Sequence, residues 1–432
     1  MLEELKSAAR KVQGERGLRS VLIQCRRLLS ERGAANSTVI ARALVAGYEA
    51  LPDEQRARFF EHLSNDFSPD PKAVLEIAQA YAAEPSVPNL LHLTRVAEPP
   101  RQELLRRINR SAGGTASIVA MRRALLLRIG KQPALQAVEA DFLHLLSSWF
   151  NPGFLQLQRV DWNSPAQLLE QIIRHEAVHQ IDGWDDLRRR LQPDRRCFAF
   201  FHPQLPSEPL IFVEVALLPE MPGAIAPLID KASTPLAPKQ FKVAAFYSIS
   251  NCQPGLRGVS LGDFLIKRVA EALKRELPQL KTFCTLSPIP GFAGWVQDGA
   301  PCEGLPKARA ARLAQSYTDL LAACAGDLAG LGHAARLRGL PAEAGDVLLR
   351  LCAFYLGQHA TSRGGDPVAR FHLDNGARLE RLNPLADLSA KGLKQSFGLM
   401  VNYLYDLDKV EAHHEKFTQG EVAQSRALAS ML

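Results

Sequence analysis

Apolar positions change their spacing near residue 150, and that change divides the chain. Leu18, Val21, Leu22, Cys25, Leu28 and Leu29 follow i, i+3, i+4, i+7, i+10, i+11. Such spacing lays one apolar stripe along an α-helix. Helical spacing continues through 52–67, 71–83, 87–108, 115–129 and 133–150, punctuated by Gly33, Pro69, Pro99-Pro100 and Gly113-Gly114. Residues 1–150 therefore predict an all-α helical bundle domain, with a scaffold or assembly role. Beyond the turn Asn151-Pro152-Gly153 one further helix is predicted over 164–181, and then the period shortens to that of strands. Cys197–His202 and Leu210–Leu218 flank a Pro/Ser-rich turn as a hairpin would. Lys242–Ser250 and Thr282–Leu286 predict two more strands, with an amphipathic helix over 261–277 between them. Helices fill about 305–360, and strand-like pieces return at 368–373 and 399–405. Residues 151–432 thus predict an α/β domain built on a mixed sheet.

Composition narrows the choice of partners. The chain has 432 residues, 47% hydrophobic and 22% charged, with a net charge of +7. The positive charge is spread along it, and no Lys/Arg block reads as a nucleic-acid arm. A mildly basic surface suits an anionic small molecule. The seven cysteines are odd in number and contain no C-x-x-C pair, which argues for free thiols in a reducing compartment. The N-terminus carries acidic residues at once, without the apolar core of a secretory signal. No apolar run approaches the ~18 residues of a membrane span. The last residues are not a peroxisomal S-K-L signal. A cytoplasmic protein without nucleic-acid or membrane partners is expected.

Two motifs carry chemistry. The first is His175-Glu176-Ala177-Val178-His179, which fits H-E-x-x-H. On a helix, two histidines at i and i+4 share a face and can hold zinc. The longer metzincin pattern then needs a glycine and a third histidine, where this chain has Asp182 and Asp185. No metal site is expected. The second is the stretch 246–277, in which a strand ends, Gln253-Pro254-Gly255-Leu256-Arg257-Gly258 turns tightly, and Ser260 stands where it can cap a helix. Strand, glycine loop and helix N-terminus form a geometry that binds phosphate through backbone N–H groups. The loop is neither a G-x-G-x-x-G nor a Walker A. It looks like the pyrophosphate loop of the GNAT acyltransferases, which holds coenzyme A, though its glycines are shifted in spacing.

Further segments sharpen that likeness. With YSIS…GLRGVSLGDFLIKRV come LSPIPGF at 286–292, FHLDNGA at 371–377 and GLMVNYLYDL at 398–407. NPGFL at 151–155 and EAVH…WDDLRRRL precede them. In this order the set closely resembles the malonyl-CoA decarboxylase family over essentially the whole chain. The resemblance implies a helical N-terminal domain and a GNAT-like catalytic domain, here 1–150 and 151–432. It implies conversion of malonyl-CoA to acetyl-CoA and CO2 with no cofactor, coenzyme A being part of the substrate. It places a catalytic serine at Ser287, a catalytic histidine at His372, and a substrate-binding loop on Arg257, Gly258, Val259, Ser260, Leu261, Gly262 and Asp263. The position of Ser260 is often acidic in relatives, which leaves its side-chain role open. A homo-oligomer is implied, with a tetramer among the forms allowed. The competing reading is a GNAT-type N-acyltransferase that passes an acyl group from coenzyme A to an amine. Secondary candidates are Ser248, Asn402, Tyr403 and Tyr405 near the pocket, and Lys267 and Arg268 for coenzyme A phosphates.

Overall fold

The computed structural model describes residues 2–259, 261, 265–301, 304–359 and 365–432, of which 2–11 as backbone only. The chain forms two compact units. The first takes the residues up to Leu155 together with His202–Ser207 and Gln253–Leu261, and the second takes the rest.

The first unit is helical throughout. Its helices are α1 (Leu2–Ser30), α2 (Ala34–Glu49), α3 (Asp53–Asn65), α4 (Pro71–Ala83), α5 (Val87–Ala97), α6 (Pro100–Asn109), α7 (Gly114–Leu126) and α8 (Gln136–Trp149). The stripe read on α1 is the buried one: Leu18, Val21, Leu22, Cys25 and Leu28 pack inward, with Leu29 half-buried. The helical stretch expected over 87–108 breaks at Pro99, because a proline pair cannot donate to the preceding turn. Pro100 then opens α6, where its missing N–H costs nothing. α4 and α5 pack on each other and contain no buried residue, so Leu75, Val87, Leu90 and Leu91 stay exposed.

The second unit is built on one mixed sheet. Its strands are β1 (Gln156–Val160), β2 (Arg195–Phe201), β3 (Ile211–Leu218), β4 (Val243–Asn251), β5 (Thr282–Thr285), β6 (Ser287–Pro288), β7 (Arg378–Asn383) and β8 (Met400–Leu404). Their order is β1-β2-β3-β4-β5-β8-β6, with β7 also on β8. β1 to β4 form an antiparallel meander, and β4 pairs parallel with β5 after a crossover that contains the Leu265–Glu276 helix. A helical unit followed by a unit built on a mixed sheet is the organisation expected. β1 and β7 were not foreseen. Their sequences, Gln-Leu-Gln-Arg-Val and Arg-Leu-Glu-Arg-Leu-Asn, are too polar to read as strands.

The feature that makes room for a site is a fork between β4 and β5. The register of β4 on β3 slips between Glu214↔Ser248 and Val215↔Phe246, which leaves Tyr247 as an extra residue. A bulge of this kind bends the strand that carries it. Pairing of β4 with β5 stops at Phe246↔Thr285, and the next bond across is Leu286 N–H to Phe246 O at 3.0 Å. Beyond it β4 runs on to Asn251, while the other branch turns into β6 against β8.

Two further elements differ from the sequence reading. Residues 368–373 are not a strand: Pro367–Asp374 is a helix, capped by the Asp366 carboxylate on the N–H groups of Val368 and Ala369. The Asp366-Pro367 pair is a helix-start signature that outweighs the alternation read there. The helix expected over 164–181 spans Ala166–His175 only. Glu176 ends it, because its carboxylate turns forward to accept from the N–H groups of Val178 and His179, both at 2.8 Å. Among the described residues, no helix is long and apolar enough to cross a membrane.

Candidate active site

A pocket of about 300 Å³ opens in the fork. Ile211, Phe246 and Phe371 supply apolar walls, and Ser248, Ser287 and His372 supply polar ones. Ser287 and His372, 85 residues apart in sequence, meet here with Ser287 Oγ 3.0 Å from His372 Nε2. β6 presents the serine, and the Pro367–Asp374 helix presents the histidine.

The hydrogen bonds around His372 fix its tautomer. Nδ1 lies 2.9 Å from the Tyr405 hydroxyl, which has no other partner among the described residues. Among the described residues Nδ1 is the one acceptor bonded to the Tyr405 hydroxyl, so Tyr405 donates and Nδ1 accepts. The imidazole proton therefore sits on Nε2, facing Ser287 and the pocket. Ser287 passes its own hydrogen on to Thr285 Oγ1 at 2.9 Å. Thr285 Oγ1 also accepts the Tyr403 N–H at 3.2 Å, which pins the chain to β8. Tyr403 stacks on the imidazole, ring centroids 4.5 Å apart. Burial pushes the His372 pKa down to about 3, so the ring is neutral at neutral pH. Burial also pushes the Tyr405 hydroxyl well above its usual range, which keeps it a donor.

The opposite wall is organised by Glu176. Ser248 Oγ donates to its carboxylate at 2.7 Å, and Ser250 Oγ does so at 3.3 Å. With the two backbone N–H groups this buried carboxylate is held by four donors. The H-E-x-x-H motif is thus a turn, and its two histidines do not share a helix face. Its glutamate is committed to β4. Burial lowers the His179 pKa to about 4. Among the described residues no cluster of three His, Cys, Asp or Glu side chains is placed to hold a metal ion.

Arg257, Gly258, Val259 and Leu261 of the substrate loop read from sequence fall in the first unit. Pro254–Leu256 forms a single 3₁₀ turn, Arg257 is exposed, and Gly258 takes φ +81°, a left-handed value that favours glycine. Val259 and Leu261 are buried, so they anchor the loop. Ser260, Gly262 and Asp263 lie outside the described residues. Gly255 packs so closely on α7 that a Cβ would stand 2.1 Å from Val119 O. The loop is clasped from behind by Arg122 of α7, a residue the sequence reading did not single out. Its guanidinium donates to the carbonyls of Gly255 and Arg257, both at 2.7 Å, and is itself held by Glu139 on α8. With its carbonyls so engaged, the loop is stiffened from the α7 side.

The secondary candidates separate. Tyr405 and Tyr403 contact His372, and Ser248 lines the pocket. Asn402 is spent on structure: it donates to Thr285 O and accepts from Arg381 and Asn383. Lys267 pairs with Glu411, and the Arg268 guanidinium stacks on Phe200. Thr285 was overlooked, although its i, i+2 spacing to Ser287 marks a shared strand face.

A helical unit, and a mixed-sheet unit in which a strand-borne serine, a helix-borne histidine and a tyrosine form one hydrogen-bond chain at a pocket, define a two-part α/β protein with a buried acid–base cluster. Residues 153–432 match the malonyl-CoA decarboxylase C-terminal domain, and residues 67–150 match the malonyl-CoA decarboxylase N-terminal domain. The mitochondrial malonyl-CoA decarboxylase of Rattus norvegicus is 39% identical over 331 residues, 73% of this chain and 67% of that protein. The crystal structure of malonyl-CoA decarboxylase from Rhodopseudomonas palustris superposes with a TM-score of 0.86 at 47% identity, covering 96% of this chain and 99% of that one. The enzyme of the same name from Agrobacterium vitis gives a TM-score of 0.83 at 44% identity, over 95% and 99%. The chain belongs to the malonyl-CoA decarboxylase family.

Proposed function

We propose that this protein is a carboxy-lyase that converts malonyl-CoA to acetyl-CoA and CO2. The observation that carries the reading is the hydrogen-bond chain Tyr405–His372–Ser287, which directs the Nε2 proton into the pocket. In the reaction the bond between the carboxylate carbon and the α-carbon breaks, and CO2 leaves. The electron pair stays on the α-carbon and delocalises onto the thioester oxygen as an enolate. A donor aimed at that oxygen in a water-poor site is worth about 3–4 kcal/mol in the transition state. His372 Nε2–H supplies it, exchanging its bond to Ser287 Oγ for one to the thioester oxygen. The α-carbon then takes a proton, and Nε2 is its source. Neutral imidazole is a weak acid, yet a stronger one than the α-C–H of a thioester, so the transfer runs downhill. Tyr405 supports it by donating to Nδ1 as negative charge grows on the ring. Solvent restores the proton when acetyl-CoA departs. Ser287 stands at the carboxylate end, where its hydroxyl orients the group that leaves.

Arg257, Gly258, Val259, Ser260, Leu261, Gly262 and Asp263 are proposed to hold the coenzyme A portion, with no separate cofactor. The N-acyltransferase alternative is not favoured, because the family and the relatives named above are decarboxylases. A cytoplasmic location and self-association through the helical unit complete the proposal. The exposed apolar residues of α4 and α5 support the latter, and light scattering of the intact protein tests it. The decisive assay is release of CO2 and acetyl-CoA from malonyl-CoA by EDTA-treated protein with no amine present. Stoichiometric release that disappears in His372→Asn supports the lyase. Intact malonyl-CoA overturns it.

A further inference from the structure

Ser287 and His372 ride on different pieces of chain, and their 3.0 Å contact needs something to hold those pieces in register. A second buried carboxylate lies where it can do so. Asp366 is 1% exposed. Its Oδ1 accepts from Val368 N–H at 2.9 Å and Ala369 N–H at 3.0 Å, at the start of the helix that carries His372. Its Oδ2 accepts from Gly291 N–H at 3.1 Å, four residues beyond Ser287. Tyr355 Oη adds a weaker donation to the same oxygen at 3.4 Å.

We propose that Asp366 is a positioning residue for the reaction, a carboxylate tie that sets the separation between Ser287 and His372. The proposal rests on the decarboxylase reading above. His372 stands six residues along the helix from Asp366, about 9 Å at the rise of an α-helix. Through so short and stiff an arm, a shift of the helix start moves Nε2 almost directly. On the other branch, β6 and the turn to Gly291 are equally short. The tie also explains why glycine stands at the end of Ser287-Pro288-Ile289-Pro290-Gly291. A Cβ on Gly291 would stand 2.2 Å from Tyr355 Oη, and its backbone φ of −96° is otherwise open to any residue. Glycine is needed there for space, so that the loop can close onto Asp366. Nothing places Asp366 against substrate: it acts through the two groups that are.

Four variants of the full chain test this. Asp366→Asn keeps an oxygen for the helix start but turns an amide N–H toward Gly291 N–H, donor against donor. The expected result is a fall in kcat of about 10- to 100-fold, with KM for malonyl-CoA within about threefold and a melting temperature within ~3 °C of wild type. Gly291→Ala should lose kcat similarly, and adding Tyr355→Phe removes the obstruction and should restore at least about fivefold of that loss. The ¹⁵N resonances of His372 should shift in Asp366→Asn and stay in place in Tyr355→Phe. The proposal is overturned if Asp366→Asn keeps kcat within about twofold and leaves the imidazole resonances unmoved. It is equally overturned if kcat falls only in step with the folded fraction and the double variant is no better than Gly291→Ala. Wild-type protein that leaves malonyl-CoA intact strikes at the decarboxylase reading instead, and the imidazole resonances still report on the tie.

Discussion

Two polar walls face each other across one pocket, and they are wired in opposite senses. On the β4 side, Ser248 and Ser250 give their hydrogens to Glu176, so the wall is anionic behind and presents oxygen lone pairs in front. On the β6 side, the hydrogens run from Tyr405 through His372 toward Ser287, so a neutral chain presents an N–H. A substrate whose negative charge migrates from a carboxylate to a thioester oxygen meets an acceptor wall and a donor wall. Stabilisation of a forming oxyanion belongs to the donor side. The charge of Glu176, engaged by four donors, belongs to the architecture of β4. Burial alone does not distinguish the two clusters. The direction of the hydrogens does.

The comparison can be broken by substitution. His372→Asn should show the largest effect, a drop in kcat of about 10³-fold with affinity for coenzyme A esters little changed, measured by CO2 release and by ligand titration. Near-normal turnover would remove the donor wall from the mechanism. Tyr405→Phe keeps the ring but frees Nδ1, so the imidazole no longer has one enforced tautomer. A loss of about 10- to 100-fold in kcat is expected, with both tautomers visible in ¹⁵N spectra. Glu176→Gln should act mainly on folding, because an amide cannot accept from all four donors. About 2 kcal/mol of stability should be lost in urea titrations, with kcat within about tenfold. A catalytic collapse in that variant at unchanged stability would reverse the assignment of the walls.

The last effect is one of pH, and the sign of each histidine's part in it follows from burial. His372 and His179 are held near pKa 3 and 4, below the ordinary value of 6.5. As pH falls from 6.5 toward 4, the unfolded chain takes up protons at both positions that the folded chain refuses. Each of these two groups therefore makes folding less favourable across that window, by at most about 1.4 kcal/mol per pH unit, while the Glu214 carboxyl, raised to about 7 by burial, acts in the opposite direction. Between urea midpoints at pH 6.5 and 4.5, His372→Asn should lose less stability than wild type, because the His372 contribution is removed. An unchanged slope would mean that His372 carries a proton when folded.

Much of this architecture is legible along the chain where burial imposes a period. β2, β3, β4, β5 and β8 read as strands because nearly every side chain in them is buried. β1 and β7 did not, since exposed positions dilute the pattern. Ser287 and His372 were legible through their motifs, although the element that carries His372 was misread. The ties that position them were not legible: Arg122, Glu176, Thr285 and Asp366 act through contacts to chain that is mostly distant in sequence. Charged or hydroxyl side chains in ordinary company give no periodic signal. Asp366 left a local trace as the cap ahead of Pro367, and Thr285 left one in its i, i+2 spacing to Ser287.

The Arg122 clasp bears on how such a chain can be divided and how it can change over generations. The match to the C-terminal family domain begins at residue 153, yet the loop Gln253–Leu261 within it folds with the helices that precede that point. A fragment cut at the apparent boundary would carry the loop away from the guanidinium that holds its carbonyls. An exchange of N-terminal halves between relatives would have to bring a compatible partner for positions 122 and 139. Inheritance at those two sites and at 255–257 is expected to be correlated, so the two halves are a single heritable unit written as two.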